Sequence, residues 1–350
     1  PNKEYTNGIA ESNLRLFKKV SDRFKVYFFQ DKPFHDIKNY FIAKIFSLFY
    51  FFKNYFLFIL FKFKNLFKPA EYLYIVISVN STLGILRNLI QIILLKPFVK
   101  KLVIHIHRSD IRTPNQPFLL KVSQRYIFDL ANKIIVLSNK ISNYHYMNDF
   151  KNKIFVLKNT LDPELESKLL GLNIQLPEKI SDTRFFFYSN ILISKGINLY
   201  IELFENNHNL KKGFSIIAGY PNEEKLVEYV KKNNHKYLGH INRHMKSNLF
   251  LNNHCIIFTS PNEGSPLILL EAMASGVFII SSNVGFIPEL LGIDYPFMCN
   301  PTINDFSNII DKFFQLTEKE RYQIIFKQRE RYRKLFSFEI WHKKTNFIFT

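Results

Sequence analysis

The sequence predicts an α/β protein with two domains, each built on a parallel β-sheet. Short apolar runs rich in Val, Ile and Phe alternate with helix-like stretches along the 350 residues, a pattern typical of strand–helix–strand units. A stretch with Pro163, Gly171, Pro177 and scattered charges, residues 162–182, separates these runs into two sets. The length is sufficient for two domains with sizeable cores.

Each apolar run predicts one strand of these sheets. In the first half the predicted strands are 24–29, 73–79, 102–107, 133–137 and 154–157, and in the second half they are 184–188, 215–218, 236–238, 255–259 and 277–281. We therefore expect a first domain at residues 1–165, a linker at 166–182 and a second domain at 183–333. We expect the helix at 334–350 to cross back to the first domain.

Composition restricts the class of protein. An apolar content of 47% indicates a folded chain. The formal net charge of +19 favours polyanionic partners: nucleic acid, anionic lipid or phosphorylated substrates. The two cysteines, Cys255 and Cys299, are far apart in apolar surroundings, which argues against a disulfide framework or a zinc site and for a reducing compartment.

Residues 261–276 carry the strongest functional pattern. A turn-forming stretch precedes an apolar helix that we expect to open near Ser265, with Pro266 at its first position and Gly276 after its end. The unpaired amides of a helix N-terminus can hold an anion such as a phosphate.

Two carboxylates lie on either side of this predicted anion site. Glu263 precedes the helix and Glu271 lies inside it. Like charges repel, so neither carboxylate suits the phosphate itself, whereas both suit hydroxyl groups beside it. This layout fits a nucleotide-sugar, with ribose hydroxyls, a diphosphate and sugar hydroxyls in series. On spacing alone, an ordinary buried helix with a surface glutamate is an equal alternative.

The sequence of residues 261–276, continued by residues 277–289, resembles the Glu-x7-Glu signature of the retaining family 4 glycosyltransferases. The resemblance implies the GT-B fold, in which two Rossmann-like parallel-sheet domains face a central cleft. It also implies transfer from a nucleoside-diphosphate-sugar without a metal or cofactor. It covers nearly the whole chain, weakly before about residue 100 and strongly after 185. The family fold normally opens with a strand before a glycine-rich loop, and that strand is expected to be missing here.

The resemblance implies donor-binding roles for four regions of the sequence. Glu263 would orient the donor sugar and Glu271 would hold the ribose hydroxyls. The departing diphosphate would be stabilised by Gly8, Lys195 and the turn at Gly264, Ser265, Pro266 and Leu267. The backbone of Gly239 and His240 would hold the base.

One position departs from the family pattern. Relatives usually carry an arginine five residues before the lysine that corresponds to Lys195, and Asn190 stands there instead. A neutral amide donates a weaker hydrogen bond to phosphate than a guanidinium does. Either donor binding is weaker, or another cation contributes.

A second polar cluster ends the predicted strand at 102–107. Ligands of open α/β sheets bind beyond the carboxyl ends of strands, and relatives have a histidine here, so His107 joins Lys195 and Glu263 as a predicted catalytic residue. His105 alternates onto the same sheet face and is an alternative core histidine. Arg108 and Asp110 are candidates for the acceptor side. Ser138 and Asn159 match cleft positions, but each also suits a helix cap or a turn.

Residues 41–68 consist almost entirely of Phe, Leu, Ile, Tyr and Lys. Lys53 and Lys62 interrupt the apolar run, which stays below the roughly 18 to 20 residues that span a bilayer. We expect a basic aromatic helix in the interface of an anionic membrane. A buried helix with snorkelling lysines is the alternative.

Together these patterns predict a cytoplasmic glycosyltransferase, peripheral at the inner membrane, that acts on a lipid-linked glycan in lipopolysaccharide or capsule synthesis. A UDP-sugar is the favoured donor and GDP-mannose the second choice. No metal and no nucleic-acid partner are expected. The alternative is a catalytically inactive basic protein on the same scaffold that binds membrane or nucleic acid.

Overall fold

The structure, a computed structural model, describes residues 15–16, 53, 55–56, 60, 69–77, 82–107, 116–221, 224–232 and 235–349. The predicted strand at 24–29 and the predicted opening loop with Gly8 lie outside these residues. Of the segment 41–68, the four described residues are helical. Within the described residues, no helix is long and apolar enough to cross a membrane.

A parallel four-stranded sheet forms the first domain in the described residues. Its strands are β1 (Ala70–Val76), β2 (Val99–Ile106), β3 (Lys133–Val136) and β4 (Ile154–Val156), in the order β1-β2-β3-β4. The β2 residues Leu102–Ile106 are buried, as expected for a central parallel strand covered on both faces. The connecting helices are α1 (Thr82–Leu95), α2 (Phe118–Leu130) and the short α3 (Asn139–Ser142).

The chain leaves the first domain after β4 and enters a helix within the expected linker. Helix α4 (Pro163–Leu170) begins at the N-cap Asp162, with Pro163 at the first helical turn. Its Leu165 and Leu169 pack in the core of the second domain. The expected linker at 166–182 is therefore irregular only after residue 170, because the apolar spacing of two leucines outweighs the turn residues around them.

The second domain contains a parallel six-stranded sheet. Its strands are β5 (Arg184–Tyr188), β6 (Phe214–Ala218), β7 (Lys236–Tyr237), β8 (Cys255–Phe258), β9 (Phe278–Ser282) and β10 (Met298–Cys299), in the order β10-β9-β8-β5-β6-β7. The predicted strands of the second half all overlap observed ones, and β10 has no counterpart among them. Two all-parallel sheets confirm the predicted fold class.

Helices cover both faces of this sheet. They are α5 (Ile197–Asn206), α6 (Glu224–Lys232), α7 (Lys246–Leu251), α8 (Leu267–Ser275), α9 (Ile287–Leu291), α10 (Ile303–Gln315) and α11 (Glu318–Leu335). Local sequence signals account for the longest ones. Helix α10 buries Phe306, Ile309, Ile310 and Phe313 at helical spacing, and α11 begins with a capping box between Thr317 and Glu320.

The chain then crosses back to the first domain. Helix α12 (Phe338–Ile348) buries Trp341 and Ile348 against Val103 and Ile135 of the first sheet. Lys133 Nζ donates to the carbonyl of Ile348 at 2.6 Å, which places a cation at the C-terminal end of the helix.

Buried Arg329 of α11 joins the ends of two other helices. Its guanidinium donates to the carbonyls of Ala274 at 3.0 Å and Ser275 at 3.2 Å, at the end of α8. It also donates to Leu169 at 3.2 Å and Leu172 at 2.5 Å, at the end of α4. One side chain thus donates to four carbonyls at two helix ends, where intrahelical donors run out.

Replacing Arg329 by Met is expected to lower the free energy of unfolding by about 2 to 4 kcal/mol, because several buried carbonyls lose their donor. The measurement is urea unfolding followed by circular dichroism. Arg333→Met is the matched control, since Arg333 on the same helix is 46% exposed and pairs with Glu330. The control is expected to cost less than about 1 kcal/mol, and equal losses in both variants would contradict the role of Arg329.

Candidate functional site

The carboxyl ends of the second sheet bring the predicted donor-binding residues to one edge. Because all its strands are parallel, the loops after β5, β7 and β8 leave the sheet on the same side. Strands β5 and β8 are neighbours, so the loop that carries Lys195 lies beside the loop that carries Glu263.

A close backbone approach fixes these two loops to each other. Gly196 has φ +81°, and a Cβ there would lie 2.2 Å from the carbonyl oxygen of Thr259. Thr259 Oγ1 in turn donates to the Gly196 carbonyl at 2.7 Å. Only glycine combines this conformation with this contact, and the position of the neighbouring Lys195 follows from it.

Lys195 and Glu263 form an ion pair in the structure. Lys195 Nζ lies 2.7 Å from Glu263 Oε1, with side chains 32% and 14% exposed. Ser260 Oγ donates to the same carboxylate oxygen at 2.9 Å. Ser260 was not predicted as a site residue, because it follows its strand in an ordinary turn-forming context. Two of the three predicted catalytic residues therefore meet at one partly open site.

The predicted anion-binding turn begins one residue later than expected. Pro266 is the N-cap of α8, so the helix opens at Leu267, and Gly276 ends it with φ +79°. Pro266 has no N–H and contributes no donor to an anion. In the described part of the chain, the amides of Gly264 and Ser265 donate no hydrogen bond.

The carbonyls of this turn are held from two directions. Asn159 Nδ2 of the first domain donates to the Ser265 carbonyl at 2.9 Å. The Phe286 amide donates to the Gly264 carbonyl at 3.2 Å. The turn is thus positioned through its acceptors, while two of its donors stay available for a ligand.

Glu271 lies in the second turn of α8 and is only 2% exposed. Lys246 Nζ lies 2.7 Å from Glu271 Oε1 and 5.9 Å from the ring centre of Tyr188. Lys246 was not predicted as a site residue. The sequence signal that could have revealed it is its helical spacing from Leu249 and Phe250, which places it on the buried face of α7.

The remaining donor-binding candidates lie on the same sheet edge. Asn190 is exposed, and its carbonyl accepts a hydrogen bond from the Leu192 amide at 2.9 Å. The Gly219 amide donates to the Gly239 carbonyl at 2.9 Å, and among the described residues no atom beyond its chain neighbours lies within 4 Å of the Cβ position at Gly239. His240 is exposed beside the Tyr220 ring.

His107 lies at the carboxyl end of β2 in the first domain and is 7% exposed. Its ring packs at a tilt of 38° against the His105 ring, with centroids 3.9 Å apart, and the Tyr74 hydroxyl lies 2.5 Å from His105 Nδ1. Burial lowers the pKa of His107 to about 4, so the ring is neutral near pH 7. His107 Nε2 has no hydrogen-bond partner among the described residues, and the predicted neighbours Arg108 and Asp110 lie outside them.

Glu289 of α9 links the two domains and was also missed. It accepts hydrogen bonds from Ser138 Oγ and, at 3.3 Å, from the Asn139 amide, and Lys158 Nζ lies 3.1 Å from it. Burial raises the pKa of Glu289, but the Ser138 hydrogen bond and the Lys158 charge outweigh burial and lower it. Ser138 is also the N-cap of α3, as its interpretation as a helix cap predicted.

No group of three or more His, Cys, Asp or Glu in the described residues could hold a metal ion.

Comparison with known proteins defines the second domain. Residues 174–331 match the family model "Glycosyl transferases group 1". The matched range contains Lys195, Glu263 and Glu271. This range thus resembles a group 1 glycosyltransferase domain. The predicted class of enzyme is confirmed for this domain.

Other comparisons cover more or less of the chain. Over 91 residues the sequence is 33% identical to the alpha-1,3/1,6-mannosyltransferase ALG2 of Dictyostelium discoideum, a match that spans 26% of this chain and 22% of that protein. Thermosynechococcus elongatus sucrose-phosphate synthase superposes with a TM-score of 0.68, 15% identity and coverage of 91% of this chain and 81% of that one. Anabaena HepE in complex with UDP superposes with a TM-score of 0.60, 17% identity and coverage of 79% and 78%. These superpositions show that the two parallel-sheet domains match the GT-B fold.

The buried His107 should make stability depend on pH. Because its folded-state pKa is lowered from 6.5 to about 4, only the unfolded chain binds a proton here as pH falls through this window. The contribution of His107 to the free energy of unfolding is therefore fully present above pH 6.5 and is lost progressively as the pH falls toward 4. We expect His107→Asn to remove about 2 kcal/mol of the loss between pH 7 and pH 4.5, measured by urea unfolding at both values. The exposed His208 provides the control His208→Asn, and an unchanged pH dependence in His107→Asn would contradict the prediction.

Proposed function

We propose that this protein transfers a sugar, with retention of configuration, from a nucleoside-diphosphate-sugar to a lipid-linked or cell-surface glycan. The observation that carries the proposal is the Lys195–Glu263 pair beside the start of α8, within the group 1 glycosyltransferase domain. It places a cation, a carboxylate and helix N-terminal amides together, as an anionic leaving group next to a sugar requires.

Each group at this edge has a distinct part in the proposed reaction. Glu263 accepts hydrogen bonds from sugar hydroxyls, and Glu271 accepts them from the ribose. Lys195 moves from Glu263 to the diphosphate and, with the amides of Gly264 and Ser265, offsets the charge that develops as the glycosidic bond breaks. The acceptor hydroxyl attacks from the face that the diphosphate leaves, and a departing phosphate oxygen takes its proton. No metal is required, since lysine and amide donors supply the positive charge.

The first domain supplies the opposite wall of the proposed site. Its Asn159 already contacts the turn before α8, and Ser138 and Lys158 hold Glu289. These contacts favour an arrangement in which the two domains exclude water from the donor, which limits hydrolysis. A neutral His107 would donate or accept a hydrogen bond near the donor sugar without adding charge.

Two nucleotide-sugars are supported as donors. Anabaena HepE was crystallised with UDP, which favours a UDP-sugar, and the named mannosyltransferase relative favours GDP-mannose. Thermal-shift measurements with UDP and GDP separate them, because a bound nucleotide stabilises the fold by mass action. A different result would be that the protein binds UDP or GDP but releases no nucleotide from any nucleotide-sugar when glycan acceptors are present. That result would favour the inactive binding protein.

Replacing Lys195 by Met is expected to lower turnover by about a hundredfold, because the leaving diphosphate loses a positioned cation. The measurement is steady-state release of UDP or GDP. Lys343→Met is the control, since Lys343 also pairs with a glutamate but lies on α12, 65% exposed. Wild-type turnover in Lys195→Met would rule out its proposed role.

We also propose that the first domain docks on an anionic membrane, where a lipid-linked acceptor would be located. Support comes from the apolar residues exposed on two packed helices, α1 and α2. On α2, Phe118 is 82%, Leu119 51% and Tyr126 49% exposed, with Lys121 between them. In the segment 41–68, Phe56 is 60% exposed. Exposed aromatic and basic side chains together are typical of interfacial binding.

Liposome flotation tests this docking proposal. We expect binding to vesicles that contain anionic lipid and about tenfold weaker partitioning of Phe118→Ser/Leu119→Ser, because two apolar side chains no longer insert. Deletion of residues 41–68 tests that segment separately. The control Phe347→Ser removes a residue that is 73% exposed on α12. Equal binding of all variants, or binding to neutral and anionic vesicles alike, would contradict the proposal.

A further inference from the structure

Lys246 and Glu271 form an ion pair that is almost completely removed from solvent. Their side chains are 11% and 2% exposed, and Nζ lies 2.7 Å from Oε1. The pair joins the first residue of α7 to the second turn of α8. It therefore lies where the loop after β7 meets the helix that begins at the proposed phosphate site.

Stability alone is a weak reason for such a pair. Removing two charges from water costs several kcal/mol for each ion, and apolar side chains of similar volume often stabilise a core as well or better. The surrounding face of α7 is apolar, with Leu249 and Phe250 buried beside Lys246. A charged pair in this position has a clearer explanation if both groups act on a ligand.

Charge counting at the sheet edge points to the phosphates of that ligand. The diphosphate of a nucleotide-sugar carries two negative charges, and Lys195 offsets one. Asn190 is neutral and exposed. It stands at the position where members of the family that the sequence resembles usually carry an arginine. Lys246 Nζ lies 5.9 Å from the ring of Tyr188, two residues before Asn190, so its charge is already beside this loop.

We propose that Lys246 is the second phosphate-binding cation of the donor site. Each predicted hydroxyl-binding carboxylate is paired with a lysine: Glu263 with Lys195 and Glu271 with Lys246. On donor binding, both lysines transfer to the diphosphate and both carboxylates transfer to hydroxyls. The four side chains together carry no net charge, and the exchange leaves each charge with a new partner. This inference rests on the proposed function.

The test compares the affinities of a nucleoside diphosphate and its nucleoside. UDP and GDP, with uridine and guanosine, are measured by calorimetry and by competition against wild type, Lys246→Met and Lys246→Arg. We expect Lys246→Met to reduce the ratio of diphosphate to nucleoside affinity at least about tenfold, because a charge-assisted contact to phosphate is lost. Lys246→Arg is expected to keep most of the ratio. Lys312→Met, at an exposed lysine of α10, is expected to leave it unchanged.

Three outcomes would separate the possible failures. A wild-type protein that binds neither UDP nor GDP would overturn the proposed function and this inference together. Wild-type binding with an unchanged ratio in Lys246→Met, including equal losses for diphosphate and nucleoside, would show that Lys246 only holds α7 against α8. If Lys246→Met fails to fold, the double variant Lys246→Met/Glu271→Gln removes both charges. Its ratio is then compared with that of Glu271→Gln, and equal ratios would overturn the inference.

Discussion

The contact between Gly196 and Thr259 is the constraint on which the proposed site depends. Neighbouring parallel strands bring two loops to one sheet edge, but adjacency alone leaves their side chains free to separate. The left-handed glycine lets the backbones meet, and the Thr259 hydroxyl closes the contact from the other side. Lys195 and Glu263 then lie within ion-pair distance at the sheet edge, where the proposed exchange of partners takes place.

Charge is distributed unevenly between the site and the rest of the molecule. The chain has a formal net charge of +19, yet the two lysines of the site are each neutralised by a glutamate. The net positive charge of the chain produces a long-range field that attracts anionic ligands and membranes. The two local ion pairs, in contrast, leave neither carboxylate of the site without a positive partner. Attraction and recognition are thus carried by different sets of residues.

Sequence patterns predicted what depends on local spacing. The apolar runs located the described strands of both sheets except β10, and the turn before α8 led to the predictions for Glu263 and Glu271. Contacts between residues distant along the chain were missed, because no short pattern encodes them. Lys246 meets Glu271 only through the packing of α7 on α8, and Glu289 meets Ser138 only because the domains face each other. The displacement of the helix start from Pro266 to Leu267 and the helix at Pro163–Leu170 show the limits of turn residues as boundary signals.

The return of α12 to the first domain means that the polypeptide crosses between the domains twice. The outward crossing contains Thr160 and the return crossing contains Phe336, and the Thr160 hydroxyl donates to the Phe336 carbonyl at 2.6 Å. Glu166 adds a second tie, since it accepts from the Phe338 amide at 2.9 Å. A double-stranded hinge of this kind resists twisting and sliding, and leaves rotation about a single axis as the easiest movement. The two domains would then open and close about this axis, and the same facing residues would return to register in every cycle.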